Sequence, residues 1–129
     1  MRARIVKFLQ VHNILSEQQF GFRTGRDTSD AVLEFLDHAY TALDSRNHLV
    51  AICIVLSRAF DTLDHGILLS KLEHVGVRGV VWEWLRSYLS DRKQFVTVNG
   101  SSSTLEPLIM GVPQGSVIGP LLFLSLIHI

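Results

Sequence analysis

Apolar positions recur with a helical period over most of the chain, and one stretch breaks that period. Residues 3–12 place Ile5, Val6, Phe8, Leu9 and Val11 among basic residues and predict a short helix. Asn13 and Ser16 bracket a turn. Residues 17–26 carry two glycines and two arginines without any period and predict a loop. A longer helix follows, capped by Thr28 or Ser29, with Val32, Phe35, Leu36, Ala39, Tyr40 and Leu43 on one face. Residues 48–56 are then continuously apolar and rich in β-branched side chains, the pattern of a strand buried on both faces. Asp64 is placed to cap the next helix, whose apolar positions are Ile67, Leu68, Leu72 and Val75, and Gly76 sits where a C′ glycine ends it. Another helix covers about 79–90, with Trp82, Leu85 and Leu89 in a stripe. Phe95, Val96 and Val98 predict a strand, Asn99-Gly100 a turn, and 104–110 the return strand of a hairpin. A loop punctuated by Gly and Pro from Gly111 to Gly119 leads into an apolar end. The order of elements predicts an α/β (α+β) chain.

Composition narrows the classes. At 129 residues with 47% apolar content, one folded domain over 1–129 is expected. Lys plus Arg and Asp plus Glu both number 12, so the formal charge is zero. Overall charge therefore offers no argument for nucleic acid, and such a reading has to rest on local residues. One cysteine, Cys53, excludes an internal disulfide and fits an intracellular location. The basic start is followed by no unbroken apolar segment, so no secretory leader is expected. The apolar run 117–129 has 13 residues, short of the roughly 20 that cross a bilayer, and it contains Gly119, Pro120, Ser125 and His128. A buried helix or strand is expected there.

Several chemistries lack their residues. The six histidines, at 12, 38, 48, 65, 74 and 128, have no zinc spacing. Ser116 does not sit in a Gly-x-Ser-x-Gly elbow, and the glycines at 111, 115 and 119 lack the Gly-Lys-Ser/Thr end of a phosphate loop. Trp82, Trp84 and Tyr88 could stack on bases, but their helical spacing favours core packing.

Five short strings, in order, carry a resemblance. They are Leu15-Ser16-Glu17-Gln18-Gln19-Phe20-Gly21-Phe22-Arg23 with Gly25-Arg26; residues 51–61, ending Ser57-Arg58-Ala59-Phe60-Asp61; Asp64-His65 with Leu68, Leu69, Lys71 and Leu72; Trp84-Leu85-Arg86-Ser87-Tyr88-Leu89 with Arg92, Gln94 and Val96; and Gly111-Val112-Pro113-Gln114-Gly115-Ser116 with Gly119-Pro120-Leu121-Leu122-Phe123. Together they span nearly the whole chain and resemble the reverse transcriptase of non-LTR (LINE-type, jockey-like) retrotransposons. The resemblance implies an incomplete fingers-and-palm unit, with helices packed on a small, partly antiparallel sheet.

It also implies RNA-directed DNA synthesis, with RNA template and DNA primer as partners and Mg²⁺ as cofactor. In that chemistry two Mg²⁺ ions about 3.5–4 Å apart clamp the attacking and departing oxygens, and carboxylates hold them. The family keeps its first catalytic Asp five residues before the aromatic Phe60. This chain has Val55 there, and valine has no lone pair for a metal. Asp61 and Asp64 match family positions that are not ligands, and turn or cap roles are expected for both. Past Phe123 the family continues to a Tyr/Phe-x-Asp-Asp hairpin, whereas this chain runs through Leu124-Ser125-Leu126-Ile127-His128-Ile129. The expectation is a chain without the Asp pair, thumb or endonuclease, with no metal bound and no catalysis.

By the same resemblance Arg23 and Arg26 reach the nucleotide triphosphate or template backbone, by bidentate contact. Phe60 lies under the nucleotide sugar, and Gln114 and Gly115 contact nucleotide and template. Two alternatives stand beside catalysis. One is a module keeping weak affinity for RNA or an RNA–DNA hybrid through Arg23, Arg26, Lys93 and Gln114. The other is an interaction protein or functionless remnant of a decayed element. The 48–56 strand, lacking its hairpin neighbour, is expected to leave an open edge that favours self-association and poor stability.

Overall fold

The computed structural model describes residues 2–129. Its elements, in order, are α1 (Arg2–Val11), α2 (Thr28–Asp44), α3 (His65–His74), α4 (Val80–Leu89), β1 (Lys93–Gln94), β2 (Thr97–Val98), β3 (Ser101–Ser102), β4 (Glu106–Pro107) and α5 (Gly119–His128). The chain is thus mixed α/β, with small antiparallel ladders. It divides into two compact units, one made of residues 2–15 and 58–129, the other of 16–57. No helix among the described residues is long and apolar enough to cross a membrane.

The first unit holds the apolar core. Leu9, Leu63, Leu68, Leu72, Leu85, Leu89, Leu122 and Leu124 are fully enclosed. Each such side chain contributes about 1.5–3 kcal/mol through water removed from its surface. Helix α3 packs against both α4 and α5. Two polar links fix these packings. The Trp82 indole N–H donates to Leu69 O at 3.3 Å, and Lys71 Nζ donates to Leu126 O at 2.7 Å. The apolar end, expected as a buried helix or strand, is helix α5. Pro120 suits its first turn, where no N–H is needed, and the buried Ser125 hydroxyl donates back to Leu121 O at 2.9 Å.

Helix ends follow the local chemistry. The Asp64 carboxylate accepts the Ile67 N–H at 2.8 Å and starts α3. Gly76, at φ +97°, ends it: the Gly76 N–H donates to Glu73 O and the Val77 N–H to Leu72 O. That is the Schellman arrangement, with Val77 and Leu72 both buried beside it. Asn13 ends α1 in the same way, with its own N–H on Gln10 O and the Ile14 N–H on Leu9 O.

The hairpin is shorter and more broken than its apolar pattern predicts. Thr97 pairs with Ser102 and Val98 with Ser101 across Asn99-Gly100, whose φ values of 48° and 80° make the tight turn. The return therefore begins at Ser101 rather than 104. A second pairing, Lys93 with Pro107 and Gln94 with Glu106, lies further from the turn. Between the two, the Ser103 hydroxyl takes the Val96 N–H at 3.0 Å, and this side-chain substitute interrupts the ladder.

The second unit corrects two expectations. Asp27, not Thr28 or Ser29, caps α2. Its carboxylate accepts the N–H groups of Ser29 and Asp30, and the Asp30 side chain accepts the Asp27 N–H in return. A carboxylate at the N-cap serves two orphan amides and also meets the positive end of the helix dipole. The larger correction concerns 48–56. These residues form no strand, and their side chains, Cys53 included, are exposed. A strand closes its hydrogen bonds on a neighbour. Among the described residues neither ladder contains any part of this segment, so its apolar pattern has nothing to be buried by.

Candidate functional site

The site sits where residues 58–65 meet the loop that begins at Gly111. The turn opens at Arg58, at φ +54°, whose carbonyl accepts the N–H of Asp61 and of Thr62. It carries the chain from Phe60 into the Asp64 cap. The Gly111 loop is bound to it at four points. The Gly111 N–H donates to Leu63 O at 2.7 Å, and the Val112 N–H to Phe60 O at 2.8 Å. His65 Nε2 lies 2.6 Å from Gly111 O. A carbonyl only accepts, so Nε2 carries the proton. Gln114 Nε2 donates to Asp61 Oδ1 at 3.0 Å.

Gly111 is required here. Its φ is +83°, and a Cβ would stand 2.8 Å from Asp61 O and 2.9 Å from Asp61 Cα. Further along, the Ser116 hydroxyl accepts the Gly119 N–H at 3.0 Å as the loop enters α5. Phe60 is half-buried, its ring centre 4.9 Å from that of Phe123 on α5. Gly115 turns the chain at φ +77°, with open space where a side chain would go. A concavity of about 610 Å³ opens beside the junction, lined by Asp61, Arg92, Lys93, Gln94, Gly111 and Gln114 among others.

Of the residues singled out in sequence, this unit therefore brings Phe60 and Gln114 to one junction, with Gly115 next to it. Arg23, Arg26 and Val55 belong to the other unit. There the two arginines staple their own loop. Arg23 Nη1 donates to Ser16 O at 2.7 Å. Arg26 donates to Glu17 O, pairs with the Glu17 carboxylate at 2.8 Å and lies over the Phe20 ring at 5.3 Å. Val55 is 87% exposed.

Sequence reasoning missed His65 as a tether and Arg92 as a groove residue. It gave Asp61 a turn role but not its hold on Gln114. The tethers join residues 46 and 53 positions apart, and no periodicity or spacing signals a pair at that separation.

Valine at 55 offers no oxygen. Asp64 Oδ1 is engaged by the helix it caps, and Asp61 Oδ1 by Gln114. Among the described residues of either unit, no three His, Cys, Asp or Glu side chains converge.

The family model described as "Reverse transcriptase (RNA-dependent DNA polymerase)" matches residues 1–129. The chain is 37% identical over 120 residues to the probable RNA-directed DNA polymerase from transposon BS of Drosophila melanogaster, covering 93% of this chain and 13% of that protein. It is 34% identical over 125 residues to the corresponding protein of the X-element from the same organism, covering 97% and 14%. Against the RNA-directed DNA polymerase of the mobile element jockey, also from Drosophila melanogaster, identity is 30% over 120 residues, covering 93% and 13%. No solved structure gives a significant match. The chain thus spans about one eighth of the length of these relatives, and it belongs to the reverse transcriptase family, in the branch carried by non-LTR retrotransposons.

Proposed function

We propose that residues 1–129 are one partial reverse transcriptase domain, its fingers and first part of the palm, from an RNA-directed DNA polymerase, and that the chain as it stands is catalytically inactive. The family acts on a nucleic acid template and primer and typically uses a divalent metal. The observation that carries the reading is the four-point junction between the Phe60–His65 turn and the Gly111 loop. It joins the motif that carries Phe60 to the motif that carries Gln114, beside a concavity that Gln114 helps to line. In this reading Phe60 lies under the nucleotide sugar, Gln114 and Gly115 meet the nucleotide and template, and Arg23 and Arg26 exchange their loop partners for phosphate. The protein works inside the cell.

The proposed inactivity rests on more than position 55. Hydrolytic or polymerising phosphoryl chemistry on two Mg²⁺ needs several oxygen ligands at once. Val55→Asp adds one carboxylate, and among the described residues no three His, Cys, Asp or Glu side chains converge to join it. Neither the chain nor that variant is expected to extend a DNA primer on an RNA template with Mg²⁺ present. Template-dependent extension by the unmodified chain overturns the inactivity. Extension by Val55→Asp alone overturns the argument that further ligands are needed.

The bare segment 48–56 gives a second expectation. Val50, Ile52 and Ile54 are exposed on a backbone with no ladder partner among the described residues. An exposed apolar segment without a ladder partner pairs with a strand of another copy. Sedimentation velocity is expected to show species that grow with protein concentration, and Ile54→Lys should suppress that growth. Monomeric behaviour with cooperative unfolding contradicts it.

A further inference from the structure

Trp82, Trp84 and Tyr88 share helical spacing on α4, yet the fold separates them. Trp82 is half-buried and tied to Leu69 O. Trp84 keeps 39% of its surface exposed and stacks on Tyr88, with ring centres 5.5 Å apart and planes 13° from parallel. The Arg92 guanidinium lies 5.0 Å from the Tyr88 ring centre, and its Nη1 donates to Tyr88 O at 3.4 Å. Trp84, Tyr88 and Arg92 thus form one continuous stack. Arg92 and its exposed neighbour Lys93 line the same concavity as Gln114. That concavity carries two cations against one carboxylate, Asp61, whose Oδ1 already accepts from Gln114. The acidic residues nearest the stack in sequence, Glu83 and Asp91, border a separate concavity with Arg86.

We propose that this stack and groove form a track for an unpaired polynucleotide strand, with a base stacked on Trp84 and backbone phosphates at Arg92 and Lys93. The inference deepens the polymerase reading above and rests on it. Every base has a π face, so an exposed indole accepts any sequence, and neighbouring cations hold the backbone. Arginine fixed on an aromatic ring loses little freedom when it meets a phosphate. A blunt duplex exposes base faces only at its two terminal pairs, so it offers Trp84 far fewer stacking partners than a single strand does. That makes the strand a single-stranded one, as an unpaired template is.

The test uses the full chain and a single-stranded RNA dodecamer, with a DNA dodecamer and a blunt RNA–DNA hybrid as comparison arms. In Trp82→Phe, Trp84 is the sole tryptophan, and its fluorescence is expected to be quenched much more strongly by either single strand than by the hybrid. Trp84→Ala is expected to weaken single-strand binding by about 5- to 150-fold, and Trp84→Phe to restore most of it. Arg92→Ala with Lys93→Ala is expected to reduce the slope of log affinity against log salt by about 1.4, two phosphates' worth for a single strand. If the unmodified chain shows no salt-dependent binding at micromolar concentration, this track and the nucleic-acid reading fall together. If it binds and Trp84→Ala and the double variant bind equally well, or if the hybrid quenches Trp84 as strongly as RNA, the track alone is overturned.

Discussion

Gly111→Ala is expected to destabilise the chain by about 2–5 kcal/mol, through left-handed backbone strain and overpacking together. The φ of +83° disfavours any side chain, and the added Cβ would meet Asp61 O, Cα and C at 2.8–3.0 Å. Those are backbone atoms, held in place by the Arg58 turn and the Asp64 cap, so they cannot swing aside as a side-chain tip would. Relief comes only by moving the loop away, and that breaks the Gly111, Val112 and His65 hydrogen bonds. Gly100→Ala separates the two causes. Gly100 has a similar φ of +80° but open space where Cβ would go, so it reports strain without collision. Urea unfolding at low protein concentration should place Gly111→Ala well below Gly100→Ala. Equal midpoints for the two would show that the junction gives way easily. A matching loss of single-strand binding in Gly111→Ala, relative to Gly100→Ala, is expected if the loop also shapes the groove.

Leu122→Ala carries the second large effect, about 2–5 kcal/mol, the usual cost of emptying a leucine site in a packed core. Leu122 is 0% exposed in the middle of α5, the helix that α3 packs against. The same helix provides its own control. Ile127 is almost half exposed, and Ile127→Ala should cost well under half as much. Thermal or urea unfolding of both variants decides the matter. Comparable losses would mean that α5 is not seated as described. The comparison matters for function because α5 also carries Phe123, the ring against which Phe60 rests.

The helices were largely legible because their determinants are local. A helix closes its hydrogen bonds four residues back, so the cap Asp64, the C′ glycine Gly76 and the spacing of Leu68 and Leu72 suffice to place α3. The same locality placed α1, α4 and the Asn99-Gly100 turn. Errors were local too. Asp27 took the cap from Thr28 because a carboxylate one position earlier satisfies two amides. The return strand begins at Ser101 because the two-residue Asn99-Gly100 turn leads straight into pairing, and Ser101 and Ser102 carry no apolar signal.

Two matters were decided only in three dimensions. The segment 48–56 has the composition of a buried strand, and as a sequence it determines that much. A strand, however, becomes one by pairing with another, and among the described residues none pairs with it. Its side chains, with Val55 among them, therefore lie open. The junction at Gly111 is the converse case. The sequence determined that Phe60 and Gln114 belong to motifs of one family, and that Val55 lacks the oxygen a metal needs. It could not show that Asp61 holds Gln114 or that His65 holds Gly111. Those contacts join residues 46 and 53 positions apart through side chains, and only the tertiary fold brings such distant partners within hydrogen-bond reach.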